Sequence, residues 1–213
     1  MLISVNVNGF TKKHLQVEDL ARKEKVLIMV MQETLVMMRH YLVVLKGYRT
    51  FAKPWEKKFR GQAVLVDDRL SVYKVQHDNH NHILYLKVSG MLGCEKPVHV
   101  LSVYLPSGGT FRGERTQMIA AMGQLTEMIL RDDSGMVIVG MGDFNTETGS
   151  LDKKLRMSCD GIRRIVGVGS MLSRFPTNKL MAPKELDHFV GSQNVTLLFK
   201  KARVLRKYPI SDH

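Results

Sequence analysis

Short apolar runs, mostly four to seven residues long and separated by turn residues, recur along the whole chain. Runs of that length, rich in Val, Ile and Leu, predict strands buried on at least one face. They fall at residues 2–7, 26–32, 63–67, 82–88, 99–104, 136–140, 187–190 and 203–205. A second periodicity interrupts them. Over residues 14–25, Val17, Leu20, Ala21 and Glu24 share one helical face, so this stretch could cross over between the first two strands. Over residues 111–130, Met118, Met122, Leu125 and Ile129 recur at helical spacing, with Arg115, Gln117, Gln124 and Glu127 off the stripe. A methionine stripe of this kind is a packing face rather than a cofactor site. Gly123 interrupts it at a cost of about 1 kcal/mol relative to Ala. Many strands with a few helices predict a layered α/β domain in which helices cover a sheet core.

Composition narrows the picture. The 213 residues are 44% hydrophobic and 24% charged, which suits one globular domain with a substantial core. The longest apolar run, 26–31, is too short to span a bilayer, and no basic flank followed by an apolar stretch opens the chain as a secretory signal would. Two cysteines, Cys94 and Cys159, form no disulfide framework, so a reducing, intracellular compartment is expected. A net charge of +12 favours a polyanionic partner, nucleic acid before an anionic membrane. The cations lie in clusters: Lys12 and Lys13, then 22–25, 53–60, 153–156, Arg163 and Arg164, and 200–207. Any one of them could be a solvated face.

Five polar segments punctuate the strand pattern: Asn6-Val7-Asn8-Gly9, Gln32-Glu33-Thr34, Tyr104-Leu105-Pro106, Gly142-Asp143-Phe144-Asn145, and the pairs Asp187-His188 and Asp212-His213. Each is expected at the C-terminal end of a strand or just beyond it, where loops are free of packing demands. Taken singly they are ordinary: a turn, a surface carboxylate, a structural Asp187, a core tyrosine at 104. His188 would point to the face opposite Asp187. The histidines at 77, 80 and 82 read as a hairpin loop rather than a metal cluster.

In this order and spacing the segments resemble the endonuclease/exonuclease/phosphatase superfamily, which includes deoxyribonuclease I, AP endonucleases and the endonucleases of LINE-type retrotransposons. The resemblance runs from Asn6 to His213 and is strongest in the GDFNT of 142–146, the QET of 32–34 and the SDH of 211–213. The string Leu186-Asp187-His188-Phe189-Val190-Gly191-Ser192 is most similar to the retrotransposon endonucleases. AP endonucleases usually carry Asp at the place of Asn8 and a Trp at the place of Glu185, and the single Trp here is Trp55. Relatives continue past the SDH motif into a final strand, whereas this sequence stops at His213. The resemblance implies a four-layered α/β-sandwich, two packed mixed sheets flanked by helices, over one domain, 1–213, lacking that strand.

Phosphodiester hydrolysis needs a deprotonated water in line with the leaving oxygen and stabilisation of charge on phosphorus. Oxygen donors suit Mg²⁺, with Mn²⁺ able to substitute, and no thiolate or histidine group has zinc spacing. By resemblance, Glu33 is the principal metal ligand, helped by Asn6 or Asn8 and by Asp212. Asp143 orients or deprotonates the water, Asn145 donates to phosphate or nucleophile, and Tyr104 approaches the phosphate. His213 contacts the scissile phosphate as donor or base while Asp187 fixes its tautomer. The division of labour between Asp143 and Asp187–His213, and the number of metals, stay open.

DNA contacts are expected from Lys53, Trp55, Lys57, Lys58 and Arg60, which join charge to a stacking ring. Arg174, Asn178 and Lys179 fall where the family's groove-reading hairpin would come. The implied activity is DNA nicking of the retrotransposon type, leaving a 3′-hydroxyl and a 5′-phosphate. A reverse transcriptase, fused or separate, is the implied partner, and a eukaryotic retroelement implies the nucleus. The alternatives are an AP endonuclease or repair exonuclease, a phosphatase of inositol phosphates or phospholipids, and a binding module that has lost turnover.

Overall fold

A computed structural model describes residues 1–37, 43–55, 60–77, 82–132, 137–165, 184–195, 205 and 210. The chain divides into two compact units, Met1–Ser71 with Leu205–His213, and Val72–Val204.

The first unit is built on a mixed four-stranded sheet of order β1-β2-β4-β3, with β1 Leu2–Asn6, β2 Ile28–Gln32, β3 Tyr48–Lys53 and β4 Gln62–Asp67. Strands β1 and β2 are parallel and therefore need a crossover, which α1 (Phe10–Lys23) supplies, as expected for residues 14–25. The helix buries Phe10, Val17, Leu20 and Ala21 in a core with Ile3, Met29, Met31 and Leu65. Ile210 is buried in the same core, and the Lys13 ammonium donates to its carbonyl at 2.6 Å.

The second unit carries a mixed six-stranded sheet of order β5-β6-β7-β8-β10-β9. Its strands are β5 Ser71–His77, β6 Ile83–Ser89, β7 Val98–Tyr104, β8 Val137–Asp143, β9 Ile162–Arg164 and β10 Asp187–Ser192. The methionine stripe is the buried face of α2 (Arg112–Asp132), where Met118, Met122 and Ile129 pack with Leu101, Val103, Ile138 and Phe144. Gly123 has a packing reason. A Cβ there would come within 2.8 Å of the Ser158 carbonyl oxygen at the end of α3 (Thr148–Ser158). The α/β class with two mixed sheets and attendant helices is therefore as the sequence predicts. Among the described residues no helix is long and apolar enough to cross a membrane. The expected strand at 203–205 lies outside the described residues except for Leu205.

Candidate active site

In the second unit, register alone brings three distant residues together. Strand β7 runs parallel to β8 and pairs Tyr104 with Asp143. Strand β10 runs antiparallel to β8 and pairs Asp187 with Asp143. Side chains opposite one another across a ladder share a face, so Tyr104, Asp143 and Asp187 form one row at one end of the sheet. Asp187 opens β10, as the strand expected over 187–190 has it, and so departs from the strand-end placement expected of the five segments together. It still reaches the row because β10 is antiparallel, so its start lies beside the end of β8.

The loop after β8 is held by its own side chains. Asp143 Oδ1 accepts the Asn145 main-chain N–H at 2.9 Å, an Asx turn, and Asn145 Nδ2 donates to the Leu105 carbonyl at 2.8 Å. The Leu105 N–H returns a bond to the Asp143 carbonyl at 2.9 Å, and Asn145 adopts a positive φ of 45°. Arg115 braces the loop after Tyr104, its guanidinium donating to the carbonyls of Pro106 (2.8 Å) and Gly108 (2.7 Å). His82 donates from Nδ1 to the Tyr104 carbonyl at 2.8 Å, so it supports this strand end. The side chains of His77 and His80 lie outside the described residues.

His188 is a positioning residue that the sequence pattern undervalues. It is buried, donates from Nε2 to the Thr146 carbonyl at 2.8 Å, and meets the Phe144 ring edge-on. The loop 143–146 is thereby fastened to β10. Burial lowers the pKa of this imidazole below the ordinary 6.5, outweighing the Thr146 carbonyl and the Glu185 and Asp187 carboxylates, which raise it. The unfolded chain therefore binds a proton more readily than the folded one. Stability from this source is complete above about pH 6.5 and is lost as pH falls toward the folded value. A urea midpoint should drop between pH 7.5 and 5.5, and drop less in His188→Gln. Equal drops would assign the acid sensitivity elsewhere.

Glu185 is held in a polar network. Its oxygens take Thr148 Oγ1 at 3.0 Å and Arg164 Nη1 at 3.3 Å, and Arg164 Nε also donates to Asp152 at 3.0 Å. This position offers no apolar wall.

In the first unit a second polar row crosses the whole sheet. Asn6 pairs with Gln32, Gln32 with Gln62, and Gln62 with Lys53. Asn6, Gln32 and Gln62 are all buried. Asn6 Oδ1 accepts the Asn8 N–H at 3.1 Å, while its Nδ2 is buried with no hydrogen-bond partner among the described residues. A buried donor left unmade costs about 1–3 kcal/mol, a cost that a substrate oxygen would remove. Just past the row, Asn8 (φ 39°) and Glu33 (φ 54°) adopt the left-handed region. Both side chains converge on one cation: Arg60 donates from Nη2 to Asn8 Oδ1 at 2.8 Å and pairs through Nη1 with Glu33 Oε2. A carboxylate and an amide oxygen that gather on one positive group are a donor set that fits a hard divalent ion, which keeps several waters and needs few carboxylates.

Trp55 is exposed and Lys53 half-buried. Lys57, Lys58, Arg174, Asn178, Lys179, Asp212 and His213 lie outside the described residues. Among the described residues no three His, Cys, Asp or Glu side chains form a metal cage.

The model of the Endonuclease/Exonuclease/phosphatase family matches residues 3–213. No curated protein matches the chain. Among solved structures, a truncated Caenorhabditis elegans TDP2 is similar at TM-score 0.70 and 19% identity, over 99% of this chain and 93% of that one. The Neisseria meningitidis 3′–5′ exonuclease NExo gives 0.75 and 19%, over 95% and 91%. The Leishmania major AP endonuclease LMAP gives 0.75 and 14%, over 100% and 84%. These likenesses are of fold.

Proposed function

From the premise that the chain belongs to the endonuclease/exonuclease/phosphatase family, we propose that it is a magnesium-dependent phosphodiesterase that nicks DNA. The observation that carries this reading is the row of Tyr104, Asp143 and Asp187, with Asn145 pinned beside it by the Asp143 carboxylate and the Leu105 carbonyl. In this reading the whole span acts as one catalytic domain. A bound divalent ion, held by Glu33 and Asn8 with Asp212, supplies positive charge against the phosphate. Asp143 takes the proton of the attacking water or orients it. Asn145 and Asn6 donate hydrogen bonds to phosphate oxygens, and Tyr104 offers its phenol. Asp187 orients His213.

DNA is the favoured substrate because of the +12 charge, and the Neisseria relative has been seen bound to a product DNA hairpin. Lys53, Trp55, Lys57, Lys58 and Arg60, and separately Arg174, Asn178 and Lys179, are the side chains we assign to the duplex. Within the family we favour the retrotransposon type, a nicking enzyme that leaves a 3′-hydroxyl and a 5′-phosphate and serves a reverse transcriptase. The spelling of 186–192 supports this, and so does Glu185, whose polar network stands where an abasic pocket would need an apolar wall.

Supercoiled plasmid with Mg²⁺ should relax through a single nick, and EDTA should abolish the reaction. An intact duplex should be cut at a rate within about tenfold of one carrying an abasic site, since the position that would discriminate offers no apolar contact worth more than roughly 1.4 kcal/mol. Strong preference for the abasic duplex would move the assignment to AP endonuclease. Nicking in EDTA would remove the metal from the mechanism.

A further inference from the structure

The Arg60 guanidinium occupies the point on which the two candidate ligands of the first unit converge. One planar fork bridges Glu33 Oε2 and Asn8 Oδ1, the second at 2.8 Å. Glu33 is largely buried at 13% side-chain exposure, whereas Arg60 keeps 45% of its side chain in solvent. The ligand side of the pair is thus fixed in the protein and the cation side faces outward.

The backbone beneath Arg60 is laced to the ligand loop. The Leu35 N–H donates to the Arg60 carbonyl at 3.0 Å and the Thr34 N–H to the Gly61 carbonyl at 3.2 Å. Gly61 has a φ of +81°, and a Cβ there would lie 2.6 Å from Thr34 Oγ1. Arg60 therefore cannot drift away as a unit. Its long side chain is the part free to move.

We propose that Arg60 is the counter-cation of the metal-free site. It holds Glu33 and Asn8 in ligand geometry, is displaced when a divalent ion binds, and then takes a phosphate oxygen of the DNA. This rests on the proposed metal-dependent nuclease reading. Two positive groups cannot share one carboxylate oxygen and one amide oxygen without strong repulsion, so ion and guanidinium exclude each other. Once released, a guanidinium on a half-exposed stem is suited to bidentate phosphate recognition. Metal and DNA binding then become positively coupled. Each ligand raises affinity for the other by the same factor, because the metal frees the cation that the phosphate takes.

The test uses Mn²⁺ without DNA, titrated calorimetrically into the wild-type chain and Arg60→Gln. Removing the competitor should tighten Mn²⁺ binding about tenfold. Arg60→Lys, which keeps the charge and loses the fork, should fall between the two and serves as the readout if the Gln variant melts early. A second measurement follows duplex affinity with Ca²⁺ against EDTA: the gain on adding metal should be smaller in Arg60→Gln than in the wild type. Mn²⁺ affinity unchanged or weaker in both folded variants overturns the proposal. Mn²⁺ binding that survives Glu33→Gln unaltered shows instead that the ion sits elsewhere, and the metal-site reading fails with it.

Discussion

Asp143→Asn should lower the rate of plasmid nicking by about 10³-fold while leaving the fold in place, because a general base contributes roughly 10²–10⁴-fold. The Asp143 carboxylate has one structural contact and, in the proposed function, one chemical role. Its Oδ1 accepts the Asn145 N–H at 2.9 Å and so closes the turn that holds Asn145. An amide oxygen can accept that bond in the same geometry, though more weakly than a carboxylate, so the Leu105–Asn145 contact should persist and melting should shift modestly. An amide oxygen cannot accept a proton from water at neutral pH, and the negative charge near the reacting centre is gone. The loss should appear in kcat with KM nearly unchanged, as for an interaction made in the transition state. Nicking within tenfold of wild type would hand the base role to Asp187 and His213.

What the sequence revealed followed burial. Strands β2, β4 and β7 are buried throughout, so they read as mostly apolar runs and were predicted to within a residue or two. The strands it concealed are β3, β5 and β9, and each lies at an edge of its sheet. Edge strands need apolar side chains on few positions: β3 buries none of its residues fully, and β5 exposes Tyr73 and Val75. Helix α3 escaped for a similar reason, since Leu151 and Leu155 are its buried residues and Gly149 weakens its first turn. Candidate chemistry was legible as residue types and order. The contacts that fix it were not. No pattern in the sequence announces that His188 donates to Thr146, that Arg115 ties down Pro106 and Gly108, or that Arg60 bridges Glu33 and Asn8. Those depend on register between segments remote in sequence.

Backbone strain gives an independent indication of where function lies. Five described residues other than glycine have positive φ: Asn8, Lys25, Glu33, Leu35 and Asn145. Lys25 follows the end of α1, where a left-handed residue commonly stops a helix. Three of the others are candidate site residues, and Leu35 stands two positions beyond Glu33. Each such residue costs about 1–3 kcal/mol and persists where surrounding contacts enforce it. Here the enforcing contacts are visible: the Gly9 N–H donates to the Glu33 carbonyl at 2.8 Å, and the Asx turn holds Asn145. Propensity would not choose Glu for this conformation, which agrees with the proposed role of its side chain as a ligand.

Gly142→Ala should be the most damaging single methyl among the described glycines of the second unit. Gly142 adopts φ +147°, a region that L side chains avoid, and a Cβ built there would lie 1.8 Å from the Val103 carbonyl oxygen and 2.8 Å from its carbon. Those are backbone atoms of β7, so no rotamer change relieves the clash. Relief would require β7 and β8 to part at the Val103–Gly142 pair, one residue from the row of Tyr104, Asp143 and Asp187. We expect a loss of about 4 kcal/mol, at the extreme of single substitutions and a large share of the roughly 5–15 kcal/mol that a domain has. The urea midpoint should fall accordingly. Gly149→Ala is the matched control, since open space surrounds that position in α3 and Ala there should gain about 0.5–1 kcal/mol. A Gly142→Ala midpoint equal to wild type would mean that the two strands lie farther apart than described. The contrast with Asp143→Asn then divides the motif between its neighbours. Asp143→Asn should give a folded protein with turnover about 10³-fold lower. Gly142→Ala should lose turnover because the strand end that presents Asp143 no longer forms.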